Sequence, residues 1–166
     1  GGHGYITEHG MEQIARDARI ACLYEGTTEI QSIDLLARKV LGSKLSLLTA
    51  FTDEIEAFVK KHQTHAQFSK HVKQVSELTE QWLHLTQTIK TQSQKSANEI
   101  GAASVDYLYF SGYVVFAYLW LQMAIVAQQK IDEGQSDPYY SAKVKTAQFY
   151  FERILPRTLS HRANIE

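Results

Sequence analysis

What this chain has little of narrows its class. It holds one cysteine, Cys22, so no internal disulfide can form; that fits a reducing compartment, and the sequence reads as cytoplasmic. Two prolines in 166 residues, with 44% of residues apolar, exclude a disordered or fibrous chain and supply one globular domain with a substantial core. There is no surplus of charge: 17 basic residues face 18 acidic ones, for a net charge of -1. The basic residues are spread along the chain rather than gathered in a patch, which argues against a nucleic-acid partner. No internal repeat and no low-complexity segment is present. The N-terminus lacks the basic and apolar regions of a signal peptide and the first methionine is Met11, so the sequence reads as a piece of something longer.

What is present is helical periodicity. A head, "GGHGYITEHG", has three glycines in its first four residues, which gives backbone freedom or allows close approach to a ligand. Met11, Ile14, Ala15 and Ala18 then recur at helical spacing and predict a short helix over 11–20. "YEG" interrupts it. Thr27 stands as an N-cap with Glu29 in the first turn, and Ile30, Ile33, Leu36, Ala37 and Val40 share one face until Gly42 stops the run, which predicts a helix over 27–41. Beyond Ser43 nothing reads as a strand. One stripe runs through Leu48, Phe51, Ile55, Phe58 and Val59, and another from Phe68 through Val75 and Trp82 to Ile89. Residues 97–132 are helical in pattern, "EGQSDP" makes a turn, and a last helix is predicted over 140–155, ending before Pro156. The fold expected is all-α, a helical bundle with long antiparallel helices.

One stretch tests that expectation. Residues 107–127, "YLYFSGYVVFAYLWLQMAIVA", are uncharged over a length that could span a membrane. Tyrosines at 109, 113 and 118 and Gln122 lie through its middle, however, whereas membrane helices gather such residues at the two interfaces. A central bundle helix, covered nearly all round by its neighbours, accounts better for the pattern.

Other constellations have plain structural readings. His62, His65 and His71 lie close together, but only the first two share a helical face and no further ligand has metal spacing, so a solvated helix face is expected. In "RDARI" Asp17 stands between two arginines, which reads as a structural ion pair, with contact to an anionic ligand the alternative. Phe149, Tyr150 and Phe151 read as packing, since no basic groove accompanies them as a nucleic-acid platform would require.

Taken alone, Glu25 in "ACLYEGTTEIQ" is a loop acid before a helix. The order and spacing of the short motifs change that reading. "GGHGY", "RDARI", "YEGTTEIQ" and "ARK" follow one another between Gly1 and Lys39, and together they resemble the C-terminal signature of the flavin-dependent acyl-CoA dehydrogenases. Farther on, "GAASVDYLYFSGYV" and "SAKVKTAQFYFERILPRT" resemble the extra C-terminal helical domain of the larger bacterial members, the group that includes methylthiopropanoyl-CoA dehydrogenases. The resemblance implies two parts: residues 1–42, the end of the dehydrogenase helical domain, and 43–166, the added helical domain.

It also implies roles. Glu25 matches the family's catalytic base, which removes the α-proton of the acyl-CoA while the β-hydrogen leaves as hydride to FAD. A thioester α-proton is a weak acid, so a carboxylate takes it only when the developing enolate is stabilised, and desolvation by the acyl chain raises the carboxylate's basicity. Tyr24 and Gly26 flank the base and match substrate-contacting positions. Thr27, Thr28 and Glu29 resemble residues that touch FAD, where helix N–H groups and the helix dipole suit an anionic cofactor. Gly1 and Gly2 match a glycine pair that meets the FAD of a neighbouring subunit. The partners implied are an acyl-CoA substrate, an electron-transferring flavoprotein as acceptor, and further copies in a homo-oligomer. The family places most of its FAD and CoA contacts before the glycine head, so the residues here are expected to be inactive and to hold no FAD by themselves. A non-enzymatic helical assembly module and a membrane-anchored helical protein stand as alternatives.

Overall fold

In the computed structural model, which describes residues 1–24 and 26–166, the regular elements are all helical. A short head comprises α1 (Gly2–Tyr5), a 3₁₀ turn (Thr7–His9) and α2 (Met11–Arg19). Then come α3 (Thr28–Ile33), which widens into π-helical turns over Asp34–Leu41, α4 (Ser46–His62), α5 (Ser69–Ser93) and α6 (Asn98–Asp132). After a turn come α7 (Pro138–Phe149) and α8 (Thr158–Ile165). The expected all-α bundle is the observed architecture.

The helix α6 is the axis of the bundle. Its inward side joins two apolar clusters, one built around Val72, Val75, Leu121 and Phe151, the other around Leu36, Leu85, Tyr107 and Val114. Both stripes read from the sequence face these clusters. The buried serine and threonine hydroxyls are paired: the Thr86 hydroxyl, for one, bonds the Trp82 carbonyl at 2.8 Å and the Tyr107 hydroxyl at 2.8 Å. Burial pushes the Tyr107 phenol up to about 12, so it stays neutral and can donate.

The outer side of α6 departs from expectation. Tyr109, Phe116, Leu119, Met123 and Val126 are exposed, so the helix is covered on one side and open along the other rather than enclosed all round. Its most apolar stretch has a mean hydropathy of 1.6 and is half buried.

The face of the 27–41 segment also differs from the predicted one. Ser32, Leu36 and Val40 are buried, whereas Ile30 and Ile33 point outward. Two small residues explain the rotation: the Ser32 and Ser104 hydroxyls meet at 3.0 Å in a buried contact that lets α3 lie close on α6. The π-helical turns then shift the register of residues 34–41. Gly42 is helical, at φ -64°, and is needed for room, because a Cβ there would collide with the Arg38 carbonyl oxygen. The reversal into α4 is made by Lys44 and Leu45, both left-handed at φ 55° and 71°.

The last helix starts earlier than predicted and does not end the fold. Asp137 accepts a 2.9 Å bond from the Tyr139 N–H, and Pro138 sits where its missing N–H costs nothing. At the far end, π-helical turns over Tyr150–Ile154 and a 3₁₀ turn over Leu155–Arg157 carry Pro156 into α8. That helix is fastened to α6 by Ile165 in the core and by Asp106, which meets His161 Nδ1 at 2.7 Å and accepts from Asn164 at 3.2 Å.

Candidate functional site

The junction between the head and the bundle holds most of the residues singled out above. A 3₁₀ turn over Ile20–Cys22 ends with the N–H groups of Leu23 and Tyr24 both bonded to the Ile20 carbonyl, at 2.9 and 3.0 Å. Glu25 lies outside the described residues. Gly26 follows in the left-handed region at φ +99°, and a Cβ there would stand 2.8 Å from Ile30 Cγ2, so only glycine serves. Thr27 is extended, at φ -75° and ψ 174°, and its carbonyl accepts the first helical bond, from Gln31 at 3.0 Å. This is the N-cap position expected of it, although its side chain makes no capping bond.

The electrostatics of the helix start are set by Glu29. A bond from its own backbone N–H, then one from the Thr27 hydroxyl, hold its carboxyl below the usual carboxylate range, so it is ionised at neutral pH. Its own carboxylate thus engages a first-turn N–H that an anionic ligand would otherwise use. Tyr24, Thr27, Thr28 and Glu29 are exposed and Gly26 half-buried. They lie along one open edge.

Gly1 and Gly2 are not part of that edge by local structure. Gly1 caps α1, its carbonyl accepting from Gly4 at 3.0 Å, with α2 lying between this turn and the junction. A Cβ added at either glycine would meet nothing within 4 Å, so the local fold does not require glycine there. No residue of the head is buried, and the apolar side of α2, with Met11 and Ile14, is open.

The ion pair expected of Asp17 with a flanking arginine is replaced. Asp17 accepts from Gln13 at 2.6 Å, and Arg16 pairs with Glu12 at 2.7 Å, because on a helix residues four apart meet and adjacent ones diverge. The histidines do not form a solvated face. His62 packs on Phe58 and His71 on Phe151, with ring centroids 4.6 and 4.5 Å apart. Burial, reinforced by the charge of Lys70, holds His71 below its usual 6.5. Of the aromatic trio, Tyr150 and Phe151 are core and Phe149 is exposed. Among the described residues no three His, Cys, Asp or Glu side chains are grouped to hold a metal ion. Ser32, which fixes α3 on α6 directly behind this edge, went unseen in the sequence, since a serine between Gln31 and Ile33 carries no pattern of its own.

The fold and site define an all-α helical bundle whose exposed loop-to-helix edge carries the motifs of residues 1–39. The family described as acetyl-CoA dehydrogenase C-terminal like matches residues 51–166, and the acyl-CoA dehydrogenase C-terminal domain matches residues 1–41. The chain belongs to the acetyl-CoA dehydrogenase C-terminal-like family. It is 30% identical to the broad-specificity linear acyl-CoA dehydrogenase FadE5 of Mycobacterium tuberculosis, over 100% of this chain and 29% of that protein. It is 29% identical to the 3-methylmercaptopropionyl-CoA dehydrogenase of Ruegeria pomeroyi, over 99% of this chain and 28% of the relative. A butyryl-CoA dehydrogenase of Syntrophomonas wolfei is 24% identical over 94% of the chain and 26% of its own length. The chain thus spans less than a third of the length of these relatives.

Proposed function

We propose that this chain is the C-terminal part of an FAD-dependent acyl-CoA dehydrogenase, bringing the proton-abstracting base and an added helical domain. The observation that carries the reading is the succession of the two family matches, the first ending at residue 41 and the second beginning at 51. It supports a division into 1–42 and 43–166, joined where Leu36 and Val40 pack with Trp82 and Tyr107.

In this reading Glu25 is the base. As a carboxylate it takes the α-proton of an acyl-CoA thioester, and its basicity rises as the acyl chain displaces water around it. FAD, when bound, supplies the acceptor for the β-hydrogen. The junction fits one edge of a flavin and substrate site. At the tight left-handed turn of Gly26 the place of a Cβ is taken by the Ile30 side chain, and Tyr24 and Gly26, which flank Glu25 in sequence, are the contacts this reading assigns to the acyl group. Thr27, Thr28 and Glu29 stand at an open helix start. Because Glu29 is itself ionised there, the contact suits a hydrogen-bonding part of the cofactor better than a phosphate. That the local fold does not demand glycine at Gly1 and Gly2 supports a close approach by a ligand from outside the chain. The rest of the reading is an electron-transferring flavoprotein as acceptor, a homo-oligomer in the cytoplasm, and α6 within the protein rather than across a membrane.

The test is Glu25→Gln in the dehydrogenase that carries this sequence. Glutamine keeps the shape and hydrogen bonding of the side chain and removes its basicity, so turnover should fall ~10²-fold or more with flavin content unchanged. Activity within a few-fold of the unmodified enzyme would move the base elsewhere.

A further inference from the structure

The open side of α6 is not a scatter of apolar residues. Tyr109, Gly112, Phe116, Leu119, Met123 and Val126 are spaced three and four apart in strict alternation, the seven-residue repeat by which one helix packs along another. The opposite face of the same helix already fills the core with Tyr107, Phe110, Val114 and Leu121, and of the seam's large side chains Tyr109 also stacks on His161 of α8, with ring centroids 5.2 Å apart. The seam's large side chains remain between 38% and 56% exposed. We propose that this seam binds the same seam on a second copy of the chain, the two α6 helices lying antiparallel about a two-fold axis midway between residues 117 and 118.

The seam is self-complementary in that arrangement. In antiparallel helices the two alternating positions of the repeat face each other, and about this axis Phe116 faces Leu119, Tyr109 faces Val126, and Gly112 faces Met123. The last layer sets the residue without a side chain against an unbranched flexible one that fills its space. Nothing in the chain itself occupies the place of a Cβ on Gly112. Tyr109 of each copy arrives beside an open groove of about 330 Å³ between α6 and α7, lined by Val126, Tyr139 and Lys143. The exposures correspond to roughly 500 Å² of open apolar surface on each copy, about 1,000 Å² for a pair, which reaches the lower bound of a specific interface.

The inference specifies the homo-oligomer proposed above and does not depend on Glu25; its failure would leave the catalytic reading intact. Sedimentation equilibrium of the purified chain should give twice the 18.9 kDa of one copy, with a dissociation constant in the micromolar range. Leu119→Glu should weaken association ~100-fold with helical circular dichroism unchanged, whereas Leu83→Glu, an exposed apolar position on α5, should leave the dimer intact. Gly112→Leu should weaken it by overfilling the Met123 layer, and the double change Gly112→Leu with Met123→Ala should restore it. That exchange reports the antiparallel register, which a purely structural effect on the monomer would not reproduce. A chain that stays monomeric at about 100 µM, or a dimer indifferent to Leu119→Glu, would overturn the proposal. So would a monomer that sediments with phosphatidylcholine vesicles, which would make the seam a membrane-facing surface.

Discussion

His71 shows how one residue's setting becomes a property of the fold. It sits on α5 with its ring against Phe151, and its Nδ1 is buried without a hydrogen-bond partner among the described residues. Burial, then the positive charge of Lys70, lower its affinity for a proton, while Glu152 opposes them weakly. The folded state therefore takes up the proton at lower pH than the unfolded chain. As pH falls below the ordinary 6.5, unfolded chains are protonated first and stability is lost until the depressed folded value is passed; above about pH 7.5 the group contributes no slope. His62, lowered chiefly by burial as well, acts in the same direction. Thermal melts between pH 7.5 and 5 should show a falling melting temperature, and His71→Leu should flatten part of that fall. An unchanged slope in the variant would mean that the ring is solvated in the native state. The sequence showed three nearby histidines but not this, because the contact that desolvates His71 comes from Phe151, eighty residues along the chain.

At the scale of elements, periodicity was most legible where a helix faces one neighbour and least where its covering depends on distant parts. The stripes of α4 and α5 announced themselves because each packs one side inward. Residues 27–41 misled because a small serine, not the isoleucines, is what lets α3 approach α6, and packing distance leaves no trace in local apolar spacing. The helix α8 was missed because Pro156 reads as a stop, whereas here it enters through a 3₁₀ turn whose first N–H needs no partner. The helix α6 was recognised by length and composition, yet apolar residues lie on both of its sides, so its sequence alone could not say which side is inside. The structure decides it: Val114 is fully buried and Phe116, two residues on, is 55% exposed. A carboxylate at 114 must ionise in an apolar core or stay protonated without partners, so Val114→Asp should cost about 3–5 kcal/mol. Phe116→Asp should leave the helical circular dichroism of the chain intact. Equal effects from the two changes would mean that α6 is rotated from the orientation described.

For the whole molecule, the contrast is between a bundle that completes its own core and a head that does not. Both clusters draw on residues from Leu36 onward, and no side chain from residues 1 to 24 is buried. The helix α2 is strongly two-sided, with its polar face tied by Glu12–Arg16 and Gln13–Asp17 contacts and its apolar face open. Nine residues are too few to hold a helix by local bonds, and exposed pairs of this kind add at most ~0.5 kcal/mol each. In the proposed dehydrogenase this face would meet the rest of the enzyme; in the chain by itself its opening free energy should be near zero. Hydrogen exchange should therefore be fast across residues 11–19 and slowest in α5 and α6. Brief trypsin treatment should cut after Arg16 and Arg19 while the remainder survives, because cleavage follows the population of open states. The melting temperature of the trimmed product should match that of the uncut chain, since the two core clusters lose nothing. Protection at residues 11–19 equal to that of α6 would show that the head has a packing partner within the chain, and a melting temperature lowered by trimming would show that the bundle depends on it.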